Sequence, residues 1–372
     1  MSYRNLPITA ILAALSIFAL AACGGAPTPS GWSGAVVQGD RVYIGTMDRD
    51  VRAIDVNSGD TVWKFPLRGT TELNRAVYGT PALVDNVLYF AVYDGLMYAV
   101  NTNGREVWST SVGGGHPFVG SPAVADGKVL IGSNDHHLYA LDAASGSQVW
   151  RFKTGNMVWS SPVVDNGRVY IGSLDQKVYA LRLSDGSKVW EFEAGGSVTS
   201  RPLVADGRVY VGSFGSKFFA LNADTGSQVW EFDGAGSWYW ADPIKDATTV
   251  YAASLDGNLY ALDAATGGMK WKAETNGQIT GAPALLGSWV MVGSTDGRVR
   301  IVNAADGSST NSCNIGPAIR APLTVADDRI YVSAADRSIR SLTIKSNGNP
   351  DEEWVHRSNK EDPVDNESAS AC

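Results

Sequence analysis

From about residue 30 onward the chain alternates in short beats: apolar segments of a few residues, cut by turn-forming residues. In "SSPVVDNGRVYIGS" and "HLYALD" the alternation has period two, the spacing of a strand buried on one face. Dividers such as "DG", "ND" and "SG" are hairpin dipeptides. No 3.6-residue periodicity of useful length follows residue 25. The third group of beats reads "PAVAD", "KVLIGS", "HLYALD", "QVWRFK", which predicts four antiparallel strands in succession.

These groups repeat. The stretch "NDHHLYALDAASGSQVW" (134–150) returns as "LDQKVYALRLSDGSKVW" (174–190), "FGSKFFALNADTGSQVW" (214–230) and "LDGNLYALDAATGGMKW" (255–271). Looser copies are "YDGLMYAVNTNGREVW" (93–108) and "MDRDVRAIDVNSGDTVW" (47–63). Trp63, Trp108, Trp150, Trp190, Trp230, Trp271 and Trp354 mark the register, with one gap where Asn311 stands. A second marker opens each group: Pro81, Pro122, Pro162, Pro202, Pro243, Pro283 and Pro322, with Ala35 in the first. The count is eight units over residues 32–357. Four antiparallel strands every forty or so residues, eight times over, predict an all-β fold: an eight-bladed β-propeller of four-stranded antiparallel blades.

A single copy of 134–150 resembles a site, with two His, two Asp and a Gly turn. Repetition argues for scaffold. Asp142 is placed to accept hydrogen bonds from turn amides. Gly146 suits a tight turn. Ala140 is small where sheets approach, and Trp150 is a plate suited to wedge between blades. His136 and His137 are adjacent on a strand or its turn, so they point to opposite faces and do not chelate one ion together. No HExxH, GxSxG or P-loop pattern occurs, no acidic cluster suggests Ca²⁺, and no metal site is expected.

The N-terminus changes the compartment. Arg4 precedes "ITAILAALSIFALAA", an apolar run of signal-peptide length (1–22) that ends "LAAC" at Cys23. This resembles the lipobox of bacterial lipoproteins, which implies a lipidated Cys23 followed by a short tether (23–31) and anchorage in a membrane by acyl chains. A polar tail, 358–372, closes the chain. Export permits Cys313 and Cys372 to pair as a disulfide, two free thiols being the other reading. The net charge of −8 leaves no basic patch for nucleic acid.

The pattern A-x-D-x-x-[ST]-G-x-x-x-W, complete at Ala53–Trp63, Ala140–Trp150 and Ala261–Trp271, resembles the tryptophan-docking motif of quinoprotein-type (PQQ-like) eight-bladed propellers. Lipobox, tether and an otherwise bare propeller resemble the BamB family. That resemblance implies a non-enzymatic scaffold of outer-membrane protein assembly, a BamA-type barrel as partner, and an envelope location at the outer membrane. The alternatives are a quinoprotein-like redox enzyme or accessory holding PQQ, and an envelope lipoprotein that binds glycans or other ligands. Against PQQ stand the missing vicinal Cys pair and Ca²⁺ ligands, so no cofactor is expected.

Positions that differ between copies are where recognition belongs. Three residues before each Pro stand Trp32, Tyr78, Val119, Trp159, Thr199, Trp240, Thr280 and Ile319, with Arg201, Trp238, Tyr239, Asp242 and Arg320 close by. The rim formed by Trp32, Tyr78, Trp159, Arg201, Trp238, Tyr239, Trp240, Asp242 and Arg320 is either a recognition surface at one channel mouth or a plug of that channel. An exposed strand edge that binds peptide is a third option.

Overall fold

In the computed structural model, residues 33–46, 50–67, 76–357 and 372 are described. They form eight four-stranded sheets, each built from four consecutive strands in simple antiparallel order. Blade 4 is typical, with strands Val163–Asp165, Arg168–Gly172, Lys177–Arg182 and Lys188–Glu193. The innermost strands of neighbouring blades touch one another and so surround the axis. Among the described residues the helical content is one 3-10 turn at Gly113–Gly115. The all-β eight-bladed architecture expected from the repeat is the architecture found.

Within a blade, the motif Ala faces the motif Trp across the two outer strands. Ala140 pairs with Trp150, Ala180 with Trp190 and Ala261 with Trp271, each followed by a bulge. The small residue is therefore needed under its own blade's indole. That indole reaches the next blade, where its Nε1–H donates to a backbone carbonyl: Trp150 to Leu183, Trp190 to Ala223, Trp230 to Ala264, at 3.0–3.1 Å. Trp63, Trp108, Trp271 and Trp354 do the same with Thr102, Ala143, Ala304 and Val56. The turn glycine of the receiving blade lies flat beneath the ring. At Gly146 the backbone has φ +73°, and a Cβ there would stand 2.7 Å from Trp108. Asp142 fixes that turn by accepting from the amides of Ala144 and Ser145.

One seam differs. In blade 7 the Trp position holds Asn311 and its cross-strand partner is Ile301 instead of Ala. An aliphatic cluster takes over, with Met291, Ile301, Ile315, Ile319, Ile330 and Leu342 packed around Cys313.

The ring closes without a shared strand. Blade 1 (35–66) and blade 8 (324–357) are each complete. Trp354 donates to Val56 at 2.6 Å, Thr324 Oγ1 to Ala35 at 2.9 Å, and Arg329 also reaches the Val56 carbonyl. Arg52, almost fully buried, holds Asp50 through two bonds of 2.9 and 3.0 Å and points a third N–H at His356.

Candidate docking face and central channel

The loops that enter each blade and the turns between its second and third strands lie together on one face of the ring. Backbone bonds join them: Asn134 N–H to Pro117 in blade 3, Phe214 N–H to Ser197 in blade 5, Leu255 N–H to Trp238 in blade 6. The opposite face carries the Asp-Gly and Ser-Gly turns that serve tryptophan docking. Repetition dominates that second face, and variation is concentrated on the first.

On the variable face an aromatic ridge crosses blades 4 to 6. Phe214 lies between two indoles, 4.7 Å from Trp238 at 11° and 5.6 Å from Trp240 at 25°. Trp240 then meets Trp159 at 6.2 Å, and Trp159 Nε1–H donates to Asn134 Oδ1 at 2.8 Å. Phe214, Trp238 and Trp240 are half-buried, so the stack is both braced and presented to solvent along its edge. Stacked rings at these separations hold one another in place, which lowers the entropic cost of using them as contacts.

Beneath the ridge runs the channel. A small cavity of about 100 Å³ is lined by Tyr78, Trp159, Trp240, Asp242 and Arg320 among others. A larger one of about 740 Å³ lies deeper, walled by inner-strand residues such as Val124, Val164 and Leu203. Thr80, Ser121, Asp242, Ala282 and Pro322 border both and form the neck. The residue just before each Pro supplies a partial belt there. Gly34 N–H donates to Thr80 Oγ1, Thr80 N–H to Ser121 Oγ, and Ser121 N–H to Ser161 Oγ, at 2.8–3.1 Å. Arg201 N–H donates to Asp242 Oδ1 at 2.7 Å. Burial raises the Asp242 carboxyl above the ordinary carboxylate range, against the opposing pull of Arg201. Burial lowers Arg320, and burial with a smaller push from Tyr93 raises Tyr78 to about 12.

The structure thus brings Tyr78, Trp159, Trp240, Asp242 and Arg320 together at one mouth, and sets Trp238 beside them on the ridge. Arg201 instead opens into the deeper cavity. Tyr239 is a correction: its ring is buried between blades 5 and 6 against Phe218 and Tyr260, and its hydroxyl has no hydrogen-bond partner among the described residues. Three consecutive aromatics on an extended backbone cannot all face outward, and the middle one turns into the core. Trp32 and Cys23 lie outside the described residues. His137 Nδ1–H donates to the Asp135 carbonyl at 3.0 Å and its ring packs on Tyr139, and His136 sits in the turn at φ +73°. Cys313 is fully buried, with its Cα 4.4 Å from that of Cys372 at a sequence separation of 59. Sequence reasoning missed Phe214 and the Ser/Thr belt. Phe214 occupies the turn position that holds Leu174 and Leu255 in other copies, and that difference was the available signal.

The fit of a quinone cofactor can be tested on these residues. Among the described residues no group of three His, Cys, Asp or Glu converges to hold an ion. Asp242 is the single carboxylate bordering the channel cavities, and the Cys pair is not vicinal. The donor set does not fit PQQ with Ca²⁺.

Fold, docked tryptophans and inner-strand prolines define an eight-bladed propeller of PQQ-type repeats. A family model described as the β-propeller of the β-alanine-activating enzyme matches residues 121–361, more than half of the chain, and one for the outer membrane protein assembly factor BamB matches 25–132 and 47–158. The chain belongs to the propeller family of the first model, and its PQQ-type repeats are BamB-like. BamB of Alkalilimnicola ehrlichii is 33% identical over 131 residues, 33% of each chain. Quinohemoprotein alcohol dehydrogenase of Comamonas testosteroni is 32% identical over 114 residues, 28% of this chain and 16% of that one. The match thus spans about a third of the first relative's length and less of the second. The crystal structure of BamB from Moraxella catarrhalis superposes with a TM-score of 0.72 at 21% identity, covering 84% of this chain and 94% of that one, a likeness of fold.

Proposed function

We propose that this protein is a non-enzymatic docking propeller of outer-membrane protein assembly, held at the membrane by a lipidated Cys23 and facing the periplasm. The observation that carries the reading is the aromatic ridge of Trp159, Trp240, Phe214 and Trp238 on the variable face. It is a preformed apolar surface with polar loops around it, the composition of an interface anchor. Its partner in this reading is a BamA-type barrel, by analogy with the relatives named as assembly factors. Supporting a role without chemistry is the channel, where among the described residues the titratable groups form no base–nucleophile pair or metal set.

The test is binding of the purified chain to the soluble periplasmic part of the BamA-type barrel of the same organism. Phe214→Ala, Trp238→Ala and Trp240→Ala combined should lower affinity at least about a hundredfold, as loss of a hot-spot cluster does. Unchanged affinity with an intact unfolding midpoint would overturn the ridge as the docking site. Cys23→Ala should release the chain from membranes into the soluble fraction, and retention there would remove the lipid anchor from the proposal.

A further inference from the structure

The belt at the channel neck is incomplete at Ser161, Asp242, Ala282 and Ala321, whose amides find no acceptor among the described residues. The break after Ser161, where a cation follows, has the makings of a binding site. Thr80, Ser121 and Ser161 each offer a hydroxyl to the amide of the preceding blade. The next position is Arg201, which has no acceptor to offer. The Ser161 N–H therefore has no hydrogen-bond partner among the described residues. The Arg201 side chain is exposed and lines the larger cavity, with no carboxylate of the described residues in ion-pair range. Asp242 attracts the guanidinium without an ion-pair contact, its Oδ1 being engaged by the Arg201 amide. A guanidinium on the larger cavity and a free amide at the preceding blade's entry, on the smaller one, are donors that a two-oxygen anion can use. Below them the wall is apolar, with Pro122, Val124, Val164, Leu203, Pro243 and Leu323. Its volume of about 740 Å³ falls within the order of 300–1,000 Å³ common to small-ligand sites.

We infer that the channel binds a small carboxylate carried on an apolar chain, its head at the Arg201 guanidinium and the Ser161 amide and its tail along the inner strands. A cation in the lumen of a chain with net charge −8 draws an anion, not a second cation, and the apolar wall selects against inorganic anions. This site is separate from the ridge, so its failure leaves the docking proposal intact.

The experiment is calorimetric titration of the full-length protein with decanoate, with decanol as the neutral match, and with N-acetyl-trileucine as free acid and as amide. Saturable binding is expected for at least one acid, about tenfold or more tighter than its neutral counterpart, the range of charge-assisted hydrogen bonds. The tighter of the two acids identifies the source as a fatty acid or a peptide carboxyl end. Arg201→Gln should lose that preference while its ligand-free unfolding midpoint and its affinity for the barrel stay unchanged. Leu203→Trp, which fills the lumen and keeps the charge, should block both acids. Equal binding of acid and neutral forms, undiminished binding by Arg201→Gln, or no saturable binding of either acid would overturn the inference.

Discussion

At the scale of single residues, Trp190 and Gly186 form one device split across two blades. The Trp190 indole donates to the Ala223 carbonyl and rests on Gly226 of the following blade, while Gly186 receives Trp150 from the blade before. Truncating a buried Trp removes the plate, the hydrogen bond and the seam's apolar contact together. Trp190→Ala should therefore cost about 3–5 kcal/mol in urea unfolding. Gly186→Ala has a different mechanism. The backbone is at φ +72° and the added Cβ would stand 2.6 Å from Trp150, so strain and clash add. A loss above about 1 kcal/mol is expected, where a Gly→Ala change at an ordinary position is stabilising. The Asp, the Gly turn and the spacing of the Trp were legible because they are local. The Gly–Trp contact was not, because it joins residues some 40 apart that alternation along one strand cannot relate.

At the scale of elements, the seams between blades reveal what local pattern conceals. The pair Ile301 and Asn311 replaces Ala and Trp at facing positions, so the large side chain has moved from the outer strand to its neighbour. Ile301→Ala with Asn311→Trp should couple favourably by about 0.5–3 kcal/mol in a double-mutant cycle, since Trp needs a small cross-strand residue to lie flat. Zero coupling would mean that blade 8 cannot receive an indole. The same seam holds Cys313, and we propose that its pairing with Cys372 adds covalent support where the indole is missing. Peptide mapping without reductant should find the 313–372 bridge, and Cys372→Ser should lower stability by about 2–4 kcal/mol. Tyr239 shows the limit of reading by proximity: it neighbours the rim in sequence, but period-two alternation buries it. The mouth residues Tyr78, Trp159 and Trp240 were legible because the repeat register placed them at equivalent inner-strand entries. The hydroxyl belt was not, because Ser, Thr, Arg and Asp at those positions share no single chemical type.

At the scale of the molecule, closing the ring depends on a seam between the first and last blades that no shared strand secures. That seam contains a buried imidazole. His356 Nδ1–H donates to the Gly59 carbonyl at 2.7 Å, which leaves Nε2 to accept from the Arg52 guanidinium at 3.4 Å. The second bond requires the neutral ring, because a protonated Nε2 would turn an N–H toward the guanidinium; the bond to Gly59 survives in either form. Burial lowers the His356 pKa below its ordinary value, the bond to Gly59 opposes this, Arg52 and Lys64 lower it further, and Asp50 opposes them. The sign follows. The neutral form is favoured in the folded state, so stability is full above the unfolded pKa of about 6.5. It falls as the pH drops, because the unfolded chain takes up a proton that the seam resists. His356→Gln supplies a check, since an amide can donate to Gly59 and accept from Arg52 without titrating. Carboxylates elsewhere titrate in both proteins and cancel in the difference. Wild type should lose urea stability relative to His356→Gln between pH 7.5 and 5, with the loss beginning near 6.5. If the difference is flat with pH, the imidazole is not held neutral and the closing seam does not rest on it.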